Sequence, residues 1–214
     1  HYFMHAIDPS SGAERPGFPH EIAGVADNDP SITFDAFQQL QRPALLLLDG
    51  VVYAGFGSHC DYGGSFRPYR GFIVGVNAKT GSQTAMWTTE TSVAAAGGAG
   101  IWQAGAGLMS DGSGRIFFST GNGVSPPIPN GATFVPGSSA SSIDTYSESV
   151  IRLQVQPDGK LQAGDFFSPA NADQLDMHDQ DISSGGPVAL PDSFGTARVP
   201  HLLTVQGKDG RIFL

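Results

Sequence analysis

Two residues, Asn122 and Trp102, combine a chemically useful side chain with a setting that gives it access to a ligand. Asn122 lies between Gly121 and Gly123 at the end of an apolar stretch. These glycines allow backbone conformations that would aim the amide at a nearby group. Trp102 lies among small residues, which leave room for its ring to lie flat on a ligand. A core tryptophan beside an ordinary strand-end turn is the alternative interpretation.

Acidic residues crowd the segment that follows position 172. They are Asp173, Asp176, Asp179 and Asp181. Such crowding can hold a metal ion or raise the pKa of one carboxyl group, and it is also typical of a solvated acidic loop. His59 and Cys60 precede Asp61, but no second His/Cys cluster has ligand spacing with them, which disfavours a transition-metal site. Ser58 and the histidines form no nucleophile–base–acid pattern.

Composition indicates a globular protein rich in strands and turns. Of the 214 residues, 40% are hydrophobic and 14% charged, and the chain contains 29 Gly and 15 Pro. The net charge of −9 argues against nucleic acid as a partner. No apolar run is long enough to span a membrane, and Cys60 alone forms no internal disulfide. The chain begins inside a pattern, so we expect a fragment in which a missing signal peptide means little.

Two kinds of segment alternate along the chain. Strand–turn–strand segments occupy 45–57, 107–123 and 202–214, with Asp-Gly, Ser-Gly or related turns between apolar runs. Strands that end in a Gly-containing turn occupy 5–12, 74–81 and 151–159. A four-stranded antiparallel unit that repeats at this spacing is typical of a β-propeller. A β-sandwich is the alternative, because alternation and turns also suit it.

The repeat predicts an all-β, incomplete propeller made of one segment, 1–214. Residues 1–20 would end one blade, 43–92 and 99–169 would form two blades, and 184–214 would start another. Residues 27–41 and 124–149 would be insertions, the first with weak helical character over 32–40.

The motifs resemble those of the quinoprotein alcohol dehydrogenases, eight-bladed propellers that bind pyrroloquinoline quinone (PQQ). They occur in the family's order along nearly the whole chain. They are GFGSHCDYGGSFRPYRGFIVGVNAKTG (55–81), VNAKTGSQTAMW (76–87), Trp102, Thr120-Gly121-Asn122, HDQDISSGGPVAL (178–190) and Lys208-Asp209-Gly210. The resemblance implies that this segment belongs to an eight-bladed ring.

The resemblance also implies a role for each site residue. It makes Asp179 the catalytic base, Ser58, Arg70, Trp102 and Lys208 contacts of PQQ, and Asp61, Asn122 and Asp181 ligands of Ca²⁺ or a lanthanide. Carboxylate and amide oxygens are ligands that Ca²⁺ prefers. The base would take the hydroxyl proton as hydride leaves for the quinone, and the lysine would stabilise the negative charge of the reduced cofactor. Turn capping, an αL asparagine, a blade-core tryptophan and a surface lysine are the alternatives.

Two departures from the family pattern bear on activity. Asp61 replaces the usual Glu and is one methylene shorter, and His178 stands where Trp is usual. The vicinal cysteines that cover the cofactor in this family would lie upstream.

The sequence therefore predicts oxidation of an alcohol or sugar hydroxyl by hydride transfer to PQQ, in the periplasm or outside the cell. The remaining blades of a longer chain would be its structural partners, and the electron acceptor is open. A propeller that has lost this chemistry and serves as a binding or scaffold module is the principal alternative. A carbohydrate-binding propeller that uses residues 124–149 as its contact surface is another.

Overall fold

The computed structural model describes residues 1–59, 69–91, 97–112, 114–123 and 145–214. Its regular structure is almost entirely antiparallel β-sheet. Within these ranges the only α-helix is the short α1 (Ala172–Met177), which is accompanied by single 3-10 turns such as Gln103–Gly105. No helix among the described residues is long and apolar enough to cross a membrane.

Two small hairpins form the N-terminal part. β1 (Phe3–Met4) pairs with β2 (His20–Glu21), and β3 (Val25–Ala26) pairs with β4 (Asp29–Thr33). The weak helical character expected over 32–40 is not observed, because this stretch contains the end of β4 and the start of the next strand. Packing of Ile32 and Phe34 into a core outweighs the local preference.

The central sheet consists of five strands. They are β5 (Gln39–Gln41), β6 (Leu46–Leu48), β7 (Val51–Ser58), β8 (Phe72–Asn77) and β9 (Gln83–Thr88). The long β7 pairs with β5, β6 and β8, and β9 pairs with β8. The β6–β7 turn has φ of 49° at Asp49 and 79° at Gly50. Positive φ at both central residues is the hairpin geometry that an Asp-Gly pair favours.

Two further sheets follow along the chain. β10 (Arg115–Ser119), β11 (Val150–Val155) and β12 (Leu161–Phe167) form the following sheet. After α1, the strands β13 (Val188–Ala189), β14 (Leu203–Gln206) and β15 (Ile212–Phe213) form the C-terminal sheet. Most of the insertion predicted at 124–149, residues 124–144, lies outside the described residues.

The central sheet is buried on both faces. Its strands are continuous apolar runs, and successive side chains of a strand point to opposite faces, so both faces are apolar. Tyr53, Ile73 and Trp87 face the following sheet, whereas Phe56 and Val74 face the N-terminal hairpins. Each fully buried large side chain contributes about 1.5–3 kcal/mol to the free energy of unfolding. A smaller cluster around Val150, Ile182 and Val205 joins the following sheet to the C-terminal sheet. Sheets that stack face to face in chain order, without closing into a ring, form an open β-propeller segment.

The sheets also allow the blade boundaries to be drawn from the structure. We propose that the central, following and C-terminal sheets correspond to the segments expected at 43–92, 99–169 and 184–214. The central sheet begins earlier than that expectation, because β5 adds Gln39–Gln41 to the edge of β7 beside β6. This additional short strand brings the residue after it, Arg42, to the pocket described below.

Candidate active site

Trp102 lies directly against backbone at positions where only glycine leaves room. A Cβ at Gly57 would lie 2.5 Å from Cε3 of the indole, and one at Gly100 would lie 2.8 Å from Cε2. A Cβ at Gly121 would lie 2.8 Å from the indole Nε1. Tyr69 makes an edge contact, with 6.0 Å between ring centroids. The ring is therefore fixed by its surroundings while it remains part-exposed.

A pocket of about 340 Å³ opens beside this ring. Its lining residues come from the central sheet, from the segment around Trp102, and from the loops before β13 and after β14. They are Leu40, Arg42, Ser58, Trp102, Ala104, Asp179, Asp181, Ser184 and Lys208. A mixed apolar and charged lining, with one flat aromatic wall, is typical of a small-molecule site.

A polar network joins two loops at the acidic end of the pocket. The backbone N–H of Asn122 donates to Asp181 Oδ1 at 2.9 Å, and its side-chain Nδ2 donates to Asp179 Oδ1 at 3.1 Å. Lys208 Nζ lies 3.2 Å from Asp179 Oδ2 and forms a second ion pair with Asp181. The Lys208 ammonium therefore bridges both carboxylates.

The loop after α1 presents these carboxylates because it is anchored at both ends. Leu175 and Ile182 are fully buried, and the Gln180 N–H donates to the carbonyl of Leu175. Asp179 adopts a left-handed conformation with φ of 53°, which Asp tolerates better than most residues. Its side chain is 65% exposed, whereas that of Asp181 is only 7% exposed. Of the two carboxylates, that of Asp179 is therefore the one open to a substrate.

The charge of Lys208 is stabilised by its two partners. Burial alone would lower its pKa, but hydrogen bonds and charge attraction from Asp181 and Asp179 outweigh that effect and raise the pKa. Lys208 is therefore a permanent cation at neutral pH.

Two fully buried glutamates lie behind the pocket, and no sequence motif indicated them. Burial raises the pKa of Glu148 to about 8, although the Ile182 N–H donates to its Oε2 at 2.9 Å. Burial also raises the pKa of Glu90, against the opposing effects of a Thr145 hydroxyl at 2.8 Å and the Arg70 charge. The backbone N–H of Glu148 donates to the Gly121 carbonyl. Glu148 thus joins the Asn122 turn to the Asp179–Ile182 loop.

The structure brings most of the predicted site residues together. Ser58, Trp102, Asp179, Asp181 and Lys208 line one pocket, and Asn122 is hydrogen-bonded to its acidic end. These residues are far apart in sequence and converge because the sheets, whose loops and strand ends carry them, stack face to face.

Two predicted residues are not part of this arrangement. Arg70 is buried next to Glu90 and does not line the pocket, so its position does not support the predicted contact with a cofactor. Its backbone forms an isolated parallel bridge with Gly98 just before β8 begins. Asp61 lies outside the described residues, and its predicted role as a metal ligand stays a prediction.

The oxygen atoms at the acidic end are of the type that a hard cation prefers, but too few of them are available to bind one. Asn122 Oδ1 is buried and has no hydrogen-bond partner among the described residues, as expected of an atom that awaits a ligand. Both oxygens of Asp181, however, already bind Asn122 and Lys208. Among the described residues, no group of three His, Cys, Asp or Glu side chains is arranged to hold a metal ion.

Arg42 was also missed by the sequence analysis. It lies over the Trp102 ring, with its Cζ 5.8 Å from the ring centroid. Only the pairing of β5 with β7 places it there, and a Gln-Arg-Pro segment carries no local signal for that pairing.

No family model matches this chain, and neither does the sequence of any curated protein. The fold is similar to that of the quinohemoprotein alcohol dehydrogenase ADHIIG from Pseudomonas putida HK5, with a TM-score of 0.55 and 14% sequence identity. The similarity covers 98% of this chain and 29% of that enzyme. At this level of identity the likeness concerns the fold alone. It confirms the prediction of an open, all-β propeller.

Proposed function

We propose that this chain is part of a PQQ-binding propeller that oxidises an alcohol or sugar hydroxyl. The observation that carries the proposal is the convergence of Trp102, Asp179 and Lys208 on one pocket, because these residue types were expected together from the order of the motifs. The fold shared with an alcohol dehydrogenase supports it at a coarser level.

The pocket offers a fitting surface for a planar, anionic group. Trp102 provides a flat wall held by Gly57 and Gly100, a cradle that any Cβ would fill. The buried Ser58 Oγ has no hydrogen-bond partner among the described residues and lies at the same wall. PQQ bound on this wall would supply the acceptor for the substrate's hydride. Trp102 would orient it by stacking, and Lys208 would offer the positive charge that favours its reduced form.

Asp179 is the residue we propose as the base. It is exposed to the pocket, and Asn122 Nδ2 and Lys208 Nζ orient its two oxygens. A substrate hydroxyl that hydrogen-bonds to this carboxylate would lose its proton to one of those oxygens. Asp181 is too buried for this task and serves to hold Lys208 and the Asn122 backbone.

A Ca²⁺ or lanthanide ion would be held by Asn122 Oδ1 and Asp181, together with Asp61 as the sequence implies. Such an ion would add positive charge next to the bound quinone. Asp181 would have to exchange its contact with Lys208 for the ion, so we expect metal and Lys208 to compete for it.

Reconstitution of the full-length protein with PQQ and Ca²⁺, followed by dye-linked oxidation of a panel of alcohols and sugars, tests the proposal. The Asp179→Asn variant should bind PQQ as tightly as the wild type and lose about 10²–10⁴-fold in turnover. Asp173→Asn, which changes an exposed carboxylate on the nearby helix, is the matched control and should stay active. Wild-type protein that binds no PQQ contradicts the proposal.

A second candidate function is a binding module without oxidation chemistry. The Lys208 ammonium already pairs with both carboxylates and offsets one of their two negative charges, so the acidic end holds together in the structure without a metal ion. The same experiment separates the two functions, since PQQ binding without turnover of any substrate favours the binding module. A periplasmic or extracellular location accompanies both candidates as a proposal drawn from the resemblance.

A further inference from the structure

Arg42 carries a charge that the rest of the pocket does not use. Its guanidinium lies over the Trp102 ring at 5.8 Å, and no described carboxylate lies within ion-pair distance of it. An exposed cation–π contact contributes only about 0.5–1 kcal/mol, so it leaves the guanidinium free to bind an anion. Arg42 is therefore a cation in the pocket wall that has no ion pair among the described residues.

The position of Arg42 follows from strand pairing. In the β5–β7 register Gln39 faces Ser58 and Leu40 faces Gly57, the glycine against which the indole ring rests. Arg42 directly follows β5, so it lies on the same wall as Ser58. Ser58 is 2% exposed, and its Oγ has no hydrogen-bond partner among the described residues. Two donors that have no acceptor among the described residues therefore lie beside the ring.

The two ends of the pocket differ in their charge balance. At the acidic end, Lys208 already pairs with Asp179 and Asp181. At the opposite end, Arg42 has donors in a planar fork that matches both oxygens of a carboxylate. The second end is therefore complementary to an anionic group on a ligand that lies against Trp102.

We infer that Arg42 is a specificity-determining residue that binds a carboxylate of a planar aromatic acid stacked on Trp102, with the Ser58 hydroxyl as a second donor. The inference rests on the proposed function for the identity of the natural ligand, because PQQ is a planar tricarboxylic acid. The carboxylate subsite itself rests only on the contacts above.

Calorimetric titration of the full-length protein with PQQ, quinoline-2-carboxylate and quinoline tests the inference. Arg42→Gln should weaken binding of the two carboxylates by about tenfold or more, which is the usual effect of losing one charge-assisted hydrogen bond. It should leave the affinity for uncharged quinoline unchanged, because the Trp102 wall is intact. Arg42→Lys should recover part of the lost affinity, since it restores the charge without the planar fork.

Arg15→Gln is the matched control, because Arg15 is an exposed arginine that does not line the pocket. The inference is overturned if wild type and Arg42→Gln bind PQQ and quinoline-2-carboxylate with equal affinities. It is also overturned if neither of these two ligands binds to the wild type. Arg42-dependent binding of quinoline-2-carboxylate without any binding of PQQ leaves the subsite standing and removes the proposed cofactor. PQQ binding that is equally tight in wild type and Arg42→Gln supports the proposed cofactor and overturns the carboxylate subsite.

Discussion

Lys208 determines how charge is distributed in the pocket. Its ammonium bridges Asp179 and Asp181, which keeps the exposed carboxylate oriented and leaves the buried one neutralised. The same contacts raise its pKa, so the bridge persists across the physiological pH range. At the acidic end of the pocket the charged groups are thus paired with one another, whereas at the other end the charge is that of Arg42.

Glu148 makes stability depend on pH in a defined direction. Its pKa is about 8 in the folded protein against 4.5 ordinarily, so between these values the folded state keeps a proton that the unfolded state releases. The free energy of unfolding therefore falls as pH rises through this interval, by on the order of a few kcal/mol. Glu148→Gln stays neutral and can still accept the Ile182 N–H. We expect urea unfolding to give equal stabilities for wild type and variant near pH 4.5, and a more stable variant near pH 8.5.

Asp173→Asn is the control for this experiment. Asp173 is exposed in the first turn of α1, so its replacement should leave the pH profile of the wild type unchanged. Parallel profiles for wild type and Glu148→Gln would show that Glu148 does not carry the raised pKa.

At the same scale, sequence reasoning found the residues that belong to motifs and missed those defined by tertiary position. Asn122, Asp179 and Lys208 were identifiable because their neighbours in sequence form recognisable turns. Glu148 was not, since its complete burial depends on packing between β11 and the loop before Ile182. Arg42 depends on strand register in the same way.

Among the elements, β7 links the core to the pocket. Its middle part is buried on both faces, and its last residues, Gly57 and Ser58, form the wall that holds Trp102. The strand was identifiable from sequence by the Asp49-Gly50 turn and the apolar run that follows it. Its additional pairing with β5 was not, because three-residue strands leave little periodicity to detect.

Gly57→Ala tests this dual role of β7. The new Cβ would lie 2.5 Å from the indole, so either Trp102 or the strand must shift, at a cost of about 1–3 kcal/mol. Gly55→Ala, two residues earlier, meets only side-chain atoms at 3.2–3.3 Å and should be tolerated better. Thermal unfolding and calorimetric titration with quinoline measure both effects. Unchanged quinoline affinity in Gly57→Ala would show that the wall does not position the ring.

At the scale of the molecule, the C-terminal sheet exposes more apolar surface than a stable edge normally does. Val188, Ile212 and Leu214 are 55%, 69% and 77% exposed, and an apolar pocket of about 380 Å³ lies between this sheet and the following sheet. Unpaired strand edges with exposed apolar side chains favour association.

We therefore expect the 214-residue chain to self-associate as its concentration rises, measured by light scattering. Ile212→Lys should reduce this association by placing a charge on the exposed strand. Leu47→Lys, at a similarly exposed position on β6, is the control and should have less effect. A monomeric wild-type chain at high concentration would contradict the expectation.

The pocket and the polar network at its acidic end draw on separate sheets. Arg42 and Ser58 come from the central sheet, Asn122 follows the first strand of the following sheet, and Lys208 follows β14 of the C-terminal sheet. A bound ligand would then add a link between layers that already meet through side-chain packing and through hydrogen bonds such as that from the Ser119 hydroxyl to the Gly185 carbonyl. By mass action, ligand at 100 times its Kd adds about 2.7 kcal/mol to the stability of whatever binds it. This added stability would act where the sheets meet. Amide hydrogens next to the pocket on the central, following and C-terminal sheets would therefore all exchange more slowly when ligand is bound.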